Sequence, residues 1–338
     1  MNNLKTKILA LCLILTSFIP CIAQETEKAD SSVNVIAFFS KNDTTDYRES
    51  YLKYKVINND TTISIGYSED FRLIVRDSTA TDYTIECIST DFQFLTDNPS
   101  FTDKLTKITW DVTKKVPMIF KVDSLGTLIE IVNWKEIRNT VQPAFKVACE
   151  MLKNEIDENV INIPALIVSF NTQTDSEQAI AENTLITSRL FALFGKSLTL
   201  GEIKAKDETL GHPTDVTFNT YIVESDSGED DPELAYAGDY GIKTQSVTKL
   251  PATELTDLGL DAVKQTLTDE SASKIENVKS EIKNAAKDFG EATITVNEEY
   301  SYFFNGWPKY FCEEKIVDIT DAHVVSLMEI EWTRTHWK

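Results

Sequence analysis

The stretch Asp82-Tyr83-Thr84-Ile85-Glu86-Cys87-Ile88-Ser89 decides the fold class, because apolar and polar side chains alternate along it. Tyr83, Ile85 and Cys87 fall on one face of an extended chain, with polar residues between them. A period of two with β-branched and aromatic residues is typical of a half-buried β-strand. The chain has this character from Val33 onward. Strands are predicted at 50–58, 71–76, 82–89, 117–122, 127–132, 196–204, 215–224, 235–247, 292–302, 309–319 and 324–332.

Two turn signals indicate that neighbouring strands pair as hairpins. Asp123-Ser124-Leu125-Gly126 separates two apolar runs, and Gly126 can adopt the positive φ that closes such a loop. Asn305-Gly306 separates the runs at 292–302 and 309–319. The sequence therefore predicts antiparallel pairing.

Amphipathic helices interrupt the strands, since apolar residues recur there at spacings of three and four. The helices are predicted at 102–113, 133–156 with a kink at Pro143, 176–194, 253–267 and 272–289. Runs of strands separated by runs of helices indicate an α+β fold with a mainly antiparallel curved sheet and interposed helices packed on one face. We expect a single elaborated domain at 33–338, with two packed halves that divide near residue 196 as the alternative.

The N-terminus has the pattern of an export signal. Residues 1–23 combine a lysine-containing start, a short apolar core and a small-residue cleavage site. Cleavage after Ala23 is favoured over lipidation at Cys21, because Pro20 is a poor substitute for the small residue that a lipoprotein site needs. Residues 24–32 are predicted to be a flexible leader. The mature protein is therefore expected in the periplasm or cell envelope.

The charge balance excludes some partners. The chain carries 33 basic and 54 acidic residues, for a formal net charge of −21. Such a surface repels phosphate backbones and anionic membranes, so nucleic-acid binding is not expected. After the signal, no apolar stretch is long enough for a transmembrane helix.

The cysteines do not suggest a disulfide scaffold. Only Cys87, Cys149 and Cys312 follow the signal, and an odd number leaves at least one thiol unpaired. We expect them to be small buried hydrophobic residues.

No local motif assigns a catalytic residue, a metal or a cofactor. The chain lacks the zinc-protease and nucleophile-elbow patterns, and Gly195-Lys196-Ser197 ends a predicted helix where a phosphate loop would begin one. The acidic run at 224–233 concentrates six carboxylates that could hold Ca²⁺. Its spacing does not match a calcium loop, so a solvated hairpin loop is favoured.

Aromatic residues crowd the late hairpin. They could stack on a ligand or pair across the strands to hold the hairpin together. The candidate ligand-binding residues are Tyr302, Phe304, Trp307 and Tyr310.

The combination of an export signal, long β runs, the segment Val116–Gly126 before a helix, and Asn305-Gly306-Trp307-Pro308 resembles uncharacterised exported bacterial β-rich proteins. The layout is also similar to the lipoprotein-carrier (LolA-like) half-barrel class. That resemblance implies a curved antiparallel sheet wrapped around helices and an apolar cavity, with a binding role.

Three functions are consistent with these features. The favoured one is non-catalytic binding of an apolar or amphipathic small molecule, or of an envelope protein. A hydrolase that acts on envelope or dietary polymers through paired carboxylates is the second, and a structural surface protein is the third. A binding protein should contain a cavity lined by strand and helix residues, whereas a glycoside hydrolase should bring two carboxylates within about 5 to 10 Å.

Overall fold

The computed structural model describes residues 32–58, 60–155, 162–223, 239–264, 273, 279–284, 286–320 and 322–336. The predicted signal peptide, residues 24–31 of the leader and the acidic run at 224–233 lie outside them. Among the residues described, no helix has both the length and the apolar character needed to cross a membrane.

The protein is sheet-rich, and its body is one large antiparallel curved sheet. The strands are β1 (Ser32–Asn34), β2 (Thr44–Ile57), β3 (Asp60–Ser78), β4 (Asp82–Phe94), β5 (Met118–Asp123), β6 (Leu128–Ile131), β7 (Ser197–Thr199), β8 (Gly201–Thr209), β9 (His212–Val223), β10 (Asp239–Pro251), β11 (Glu291–Tyr302), β12 (Pro308–Ile319) and β13 (Ala322–His336).

Eleven of these strands form one sheet in the order β6-β5-β4-β3-β2-β13-β12-β11-β10-β9-β8, and β1 pairs with β7 separately. Every pairing is antiparallel, as the hairpin signals predict. The sheet joins strands from both sides of residue 196 because β2 pairs with β13. The division into one domain or two packed halves stays a prediction.

Several helices connect the strands. They are α1 (Phe101–Thr113), α2 (Trp134–Met151), α3 (Ile163–Thr172), α4 (Glu177–Asn183) and α5 (Ala252–Lys264). Residues 279–284 and 286–287 are also helical. The positions of α1, α2 and α5 agree with the predicted helices to within a few residues, except that α2 ends five residues before the predicted end at 156.

The prediction of one helix over 176–194 is wrong beyond Asn183. Thr184 takes an extended conformation, and the chain then forms a single wide π-helical turn at Ile186–Leu190. The apolar residues of this segment, such as Ile186 and Leu190, enter the main core, whereas Arg189 contacts Glu313. Their spacing follows the core and lacks the regular stripe of an amphipathic helix. The α3 helix was not predicted, because its nearly continuous apolar run shows no helical period.

One face of the sheet is buried in two apolar clusters. In the first, strand residues such as Phe71, Leu73 and Phe311 pack against residues 35–39 and 186–194. In the second, the far ends of β10 to β13 pack against α5 and the helical residues near 282. A third cluster joins α1, α2 and α3 to one another. The opposite face of the sheet carries cross-strand ion pairs, among them Arg48 with Asp70 at 2.7 Å.

Asp103 attaches this group of helices to the sheet. Its carboxylate accepts a hydrogen bond from the Gly66 amide of β3 at 2.9 Å and another from the Ser100 amide at 2.7 Å. The Ser100 hydroxyl in turn accepts from the Asp103 amide, which completes a capping box at the start of α1. The start of α1 is therefore held against β3.

The turn of the late hairpin packs closely against the segment at residues 36–39. Gly306 has a φ of +82°, and a Cβ there would lie 2.0 Å from the Ile36 carbonyl oxygen. This close approach brings Trp307 into the core, where its ring lies 4.2 Å from that of Phe39. Trp307 is 0% exposed, whereas Phe304 in the same turn is 53% exposed.

Replacing Trp307 with Ala should lower the free energy of unfolding by about 3 to 5 kcal/mol, because it removes a fully buried aromatic side chain. Chemical denaturation measures the change. Phe304→Ala is the matched control, with an expected change within about 0.5 kcal/mol. Equal losses in the two variants would contradict this packing.

Candidate functional site

The four aromatic residues proposed from the sequence do not line one surface. Tyr302 lies in the main core, where its ring stacks on Tyr240 at 5.2 Å, and Trp307 lies in the same core. Tyr310 points to the opposite face of the sheet from its buried neighbour Phe311, and its hydroxyl donates to Glu329 at 2.9 Å.

Phe304 is at the exposed turn, apart from the other three. The structure therefore divides this set between the core, the outer face and the turn. A ligand-binding role for the four residues stays a prediction, and no shared groove supports it.

A cavity of about 240 Å³ lies elsewhere, between the buried face of the sheet and the helical segments that cover it. Strands β2 to β5 supply its floor. Its other walls come from α2, α4, the C-terminal end of α1 and the residues just after α1 and α4. The lining is apolar apart from two carboxyls, a thiol and three hydroxyls. The residues are Glu49, Glu69, Phe71, Cys87, Ser89, Thr113, Val116, Met118, Ile137, Val141, Ile180, Thr184, Leu185 and Ile186.

Glu49 and Glu69 face each other directly across β2 and β3. Side chains at such paired positions have their Cβ atoms about 5 Å apart. On the other side of Glu49 lies Ile330 of β13, a fully buried core residue. Both carboxyls are surrounded by protein yet keep some surface open to the cavity.

The two carboxyls differ in their hydrogen bonds. Glu69 accepts one from the Ser89 hydroxyl of β4. No donor among the described residues is within hydrogen-bonding distance of the Glu49 carboxyl. A buried polar group without a partner is costly, so an empty acceptor that faces a cavity indicates a place for a ligand group or water.

Burial, together with the charge of Glu69, raises the pKa of Glu49 to about 8. Burial also raises the pKa of Glu69, although hydrogen bonding by Ser89 and by Trp110 opposes that shift. Two neighbouring carboxylates cannot both ionise easily in a medium of low polarity. The pair therefore keeps a proton at neutral pH and carries less than its full charge.

Two titratable side chains near the carboxyl pair, those of Cys87 and Tyr67, are also neutral at pH 7. Burial raises the pKa of Cys87, and the charges of Glu69 and Glu49 add to this effect. Burial likewise raises the pKa of Tyr67, which lies two residues before Glu69 on β3. The Cys87 thiol therefore remains protonated at neutral pH and is not an activated nucleophile.

Other buried charged side chains lie on the same face of the sheet as Glu49. Glu313 on β12 contacts both Arg189 of the π-helical turn, at 3.2 Å, and Lys315, at 3.0 Å. Lys53 lies on β2, on the same face as Glu49. Burial and the charge of Lys315 lower its pKa to about 8. The middle of the buried face is thus polar, between two apolar clusters.

The described residues contain no group of three or more His, Cys, Asp or Glu side chains placed to hold a metal ion. The predicted alternative of Ca²⁺ at 224–233 falls outside the described residues. Cys87, Cys149 and Cys312 are all free thiols, and the first two are buried.

Comparisons with known proteins leave the family open. No family model and no curated protein matches the chain. A solved structure that concerns lipid–protein interactions in lipovitellin aligns with a TM-score of 0.35 and 9% identity over 88% of this chain, which spans 26% of that one. An outer membrane channel from Pseudomonas putida F1 aligns with a TM-score of 0.13 and 5% identity, over 91% of this chain and 100% of the channel. At these TM-scores neither likeness carries an argument.

The buried carboxyl pair should make the folded protein less stable as pH rises. Below a pH of about 4.5 Glu49 is protonated in both the folded and the unfolded chain. Between that value and the folded pKa of about 8, only the unfolded chain loses the proton, so this group destabilises the fold as pH rises. Glu49→Gln should therefore exceed the parent in stability at pH 8 by at least about 1.4 kcal/mol, the equivalent of one pKa unit.

Urea denaturation of both proteins at pH 5 and pH 8 measures this difference. Glu331→Gln is the control, because Glu331 is exposed on β13 next to Ile330, and its effect on stability should be within about 0.5 kcal/mol. A Glu49→Gln variant that is less stable than the parent at pH 8 would contradict the assignment.

Proposed function

We propose that this protein binds a small amphipathic molecule in the cavity between β2 to β5 and the overlying helices. The observation that carries the proposal is the combination of an apolar wall with the empty acceptor of Glu49. Apolar cavities with a few convergent polar groups and perturbed pKa values are the usual form of small-molecule sites. The apolar part of the ligand would pack on Phe71, Met118 and Ile137, and its polar end would meet the carboxyls.

The size of the cavity limits the ligand. A volume of about 240 Å³ corresponds to roughly eight water molecules at about 30 Å³ each. A molecule of roughly eight to ten non-hydrogen atoms would fill it, so a short single-chain amphiphile suits the site better than a whole phospholipid. This role agrees with the binding function that the lipoprotein-carrier resemblance implies, and the predicted signal would place the protein in the periplasm or cell envelope.

A hydrolase is the second candidate, and the Glu49–Glu69 pair is the observation that favours it. Two facing carboxyls, of which one keeps a proton, are the groups that a glycoside hydrolase uses as acid and as base or nucleophile. The small volume and the apolar side chains of one wall suit a sugar polymer poorly, so binding is preferred. Turnover of a chromogenic glycoside that both Glu49→Gln and Glu69→Gln abolish would reverse this preference.

Octan-1-ol is a suitable neutral probe of the cavity. Isothermal titration calorimetry should show saturable binding to the parent protein and at least a tenfold loss of affinity in Val141→Phe, because the larger ring occupies the cavity from α2. Val147→Phe is the matched control, since Val147 lies on the same helix and is 52% exposed.

Binding that is unchanged in both variants would place octan-1-ol outside the cavity and contradict the proposal. Circular dichroism of both variants confirms that the loss does not come from unfolding.

A further inference from the structure

We infer that the polar end of the ligand is a cation, an organic ammonium group that inserts between Glu49 and Glu69. This inference rests on the proposed function and adds the chemical class of the ligand. It depends on three properties of the cavity: the sign of its charges, its free acceptors and its apolar wall.

The charges around the cavity are of one sign. Glu49 and Glu69 are the two acids among the described lining residues, and none of those residues is Lys, Arg or His. The helices α2 and α4 contribute apolar side chains, and the residue after α4 adds the Thr184 hydroxyl. A ligand with a positive charge is therefore the one that the site attracts, and a carboxylate ligand would be repelled.

The other titratable groups near the pair do not supply a positive charge. Tyr67 on β3 and Cys87 on β4 are neutral at pH 7, since burial raises the pKa of each. Asp103 of α1 adds a further acid near Tyr67. Lys53 is the next basic residue on this face of β2, but it is separated from Glu49 by Tyr51 and lies near Lys315.

The hydrogen-bond acceptors of Glu49 and Glu69 that remain free are suited to the donors of an ammonium group. A primary ammonium has three N–H donors and no acceptor. The Glu49 carboxyl has no donor among the described residues, whereas Glu69 accepts from Ser89 and also interacts with the Trp110 indole N–H. Charge-assisted hydrogen bonds from a buried ammonium to both carboxyls would be strong, because the surroundings are apolar.

An organic cation fits the site better than a metal ion. Metal ions such as Ca²⁺ need six or more oxygen ligands, usually from several carboxylates, and the cavity offers two carboxyls and three hydroxyls beside an apolar wall. An alkyl chain on the ammonium would cover Phe71, Val141 and Ile180, which a metal ion would leave exposed to water.

Binding of a cationic ligand should depend on pH in the opposite direction from binding of a neutral ligand. An ammonium ion favours the ionised form of Glu49, so binding releases the proton and tightens as pH rises towards 8. An alcohol can use the protonated Glu49 as a hydrogen-bond donor and should bind no more tightly at pH 8 than at pH 6. The sign of the pH dependence thus reports the charge of the preferred ligand.

The test compares octylammonium, octan-1-ol and octanoate by calorimetry with the full-length protein at pH 6 and pH 8. Octylammonium should bind at least ten times more tightly than octan-1-ol at pH 8, with a smaller advantage at pH 6, and octanoate should bind more weakly than either. Glu49→Gln should bring octylammonium to within about threefold of octan-1-ol, since Gln retains the shape of the side chain without its charge.

The variants separate the possible failures. Octan-1-ol binding that Val141→Phe blocks, together with no preference for octylammonium, would overturn the cationic class and leave the proposed function in place. Failure of all three probes to bind would overturn both. Octylammonium binding that Val141→Phe leaves unchanged would reflect adsorption to the acidic surface and overturn the inference. Glu331→Gln controls for the loss of one negative charge and should behave as the parent does.

Discussion

Burial of one face of the eleven-stranded sheet is the constraint on which the other features of this structure depend. A sheet of this size exposes more apolar surface than a single helix can cover, so segments from several parts of the chain are needed. Residues 35–39 and 186–194 cover one end, and α5 with the helical residues near 282 covers the other. Asp103 holds the separate helical cluster beside β3 through the Gly66 amide.

The helical segments do not fully cover the buried face of the sheet at β2 and β3, and the cavity lies at this position. Apolar side chains would close such a gap in a purely structural protein, but β2 and β3 place two carboxyls opposite each other. Like charges in a low-polarity site reduce stability unless a proton or a cation is present. This local cost has no structural benefit in the described contacts, which is why the pair is interpreted as functional.

Much of the sheet could be predicted because its signals are local. The alternation at 82–89 and the turns at Gly126 and Gly306 place strands and hairpins where the structure has them. The segment after Thr184 could not be predicted in the same way, since its apolar residues follow the shape of the core and not a helical period. The α3 helix was missed for a related reason, although Asn162 accepts from the Ala165 amide as an N-cap.

The candidate site depended on contacts that are distant in the sequence. Glu49 and Glu69 are separated by 20 positions in the sequence, and their pairing follows from the register of β2 and β3. Among 54 acidic residues no local pattern singles out these two. A retrospective signal exists in β2, where Glu49 and Lys53 share the face of the buried Tyr47, an unusual place for charges in a strand. The aromatic residues of the late hairpin were easier to notice, but Tyr302 and Trp307 serve the core.

The most direct test of this account is a carboxyl-detected NMR titration of the glutamate side chains in the ligand-free protein, with Glu49→Gln and Glu69→Gln used to assign the two signals. The account predicts that the Glu49 carboxyl remains protonated at pH 7 and has its titration midpoint near pH 8. Midpoints near the ordinary glutamate value of about 4.3 for both side chains would contradict a buried carboxyl pair.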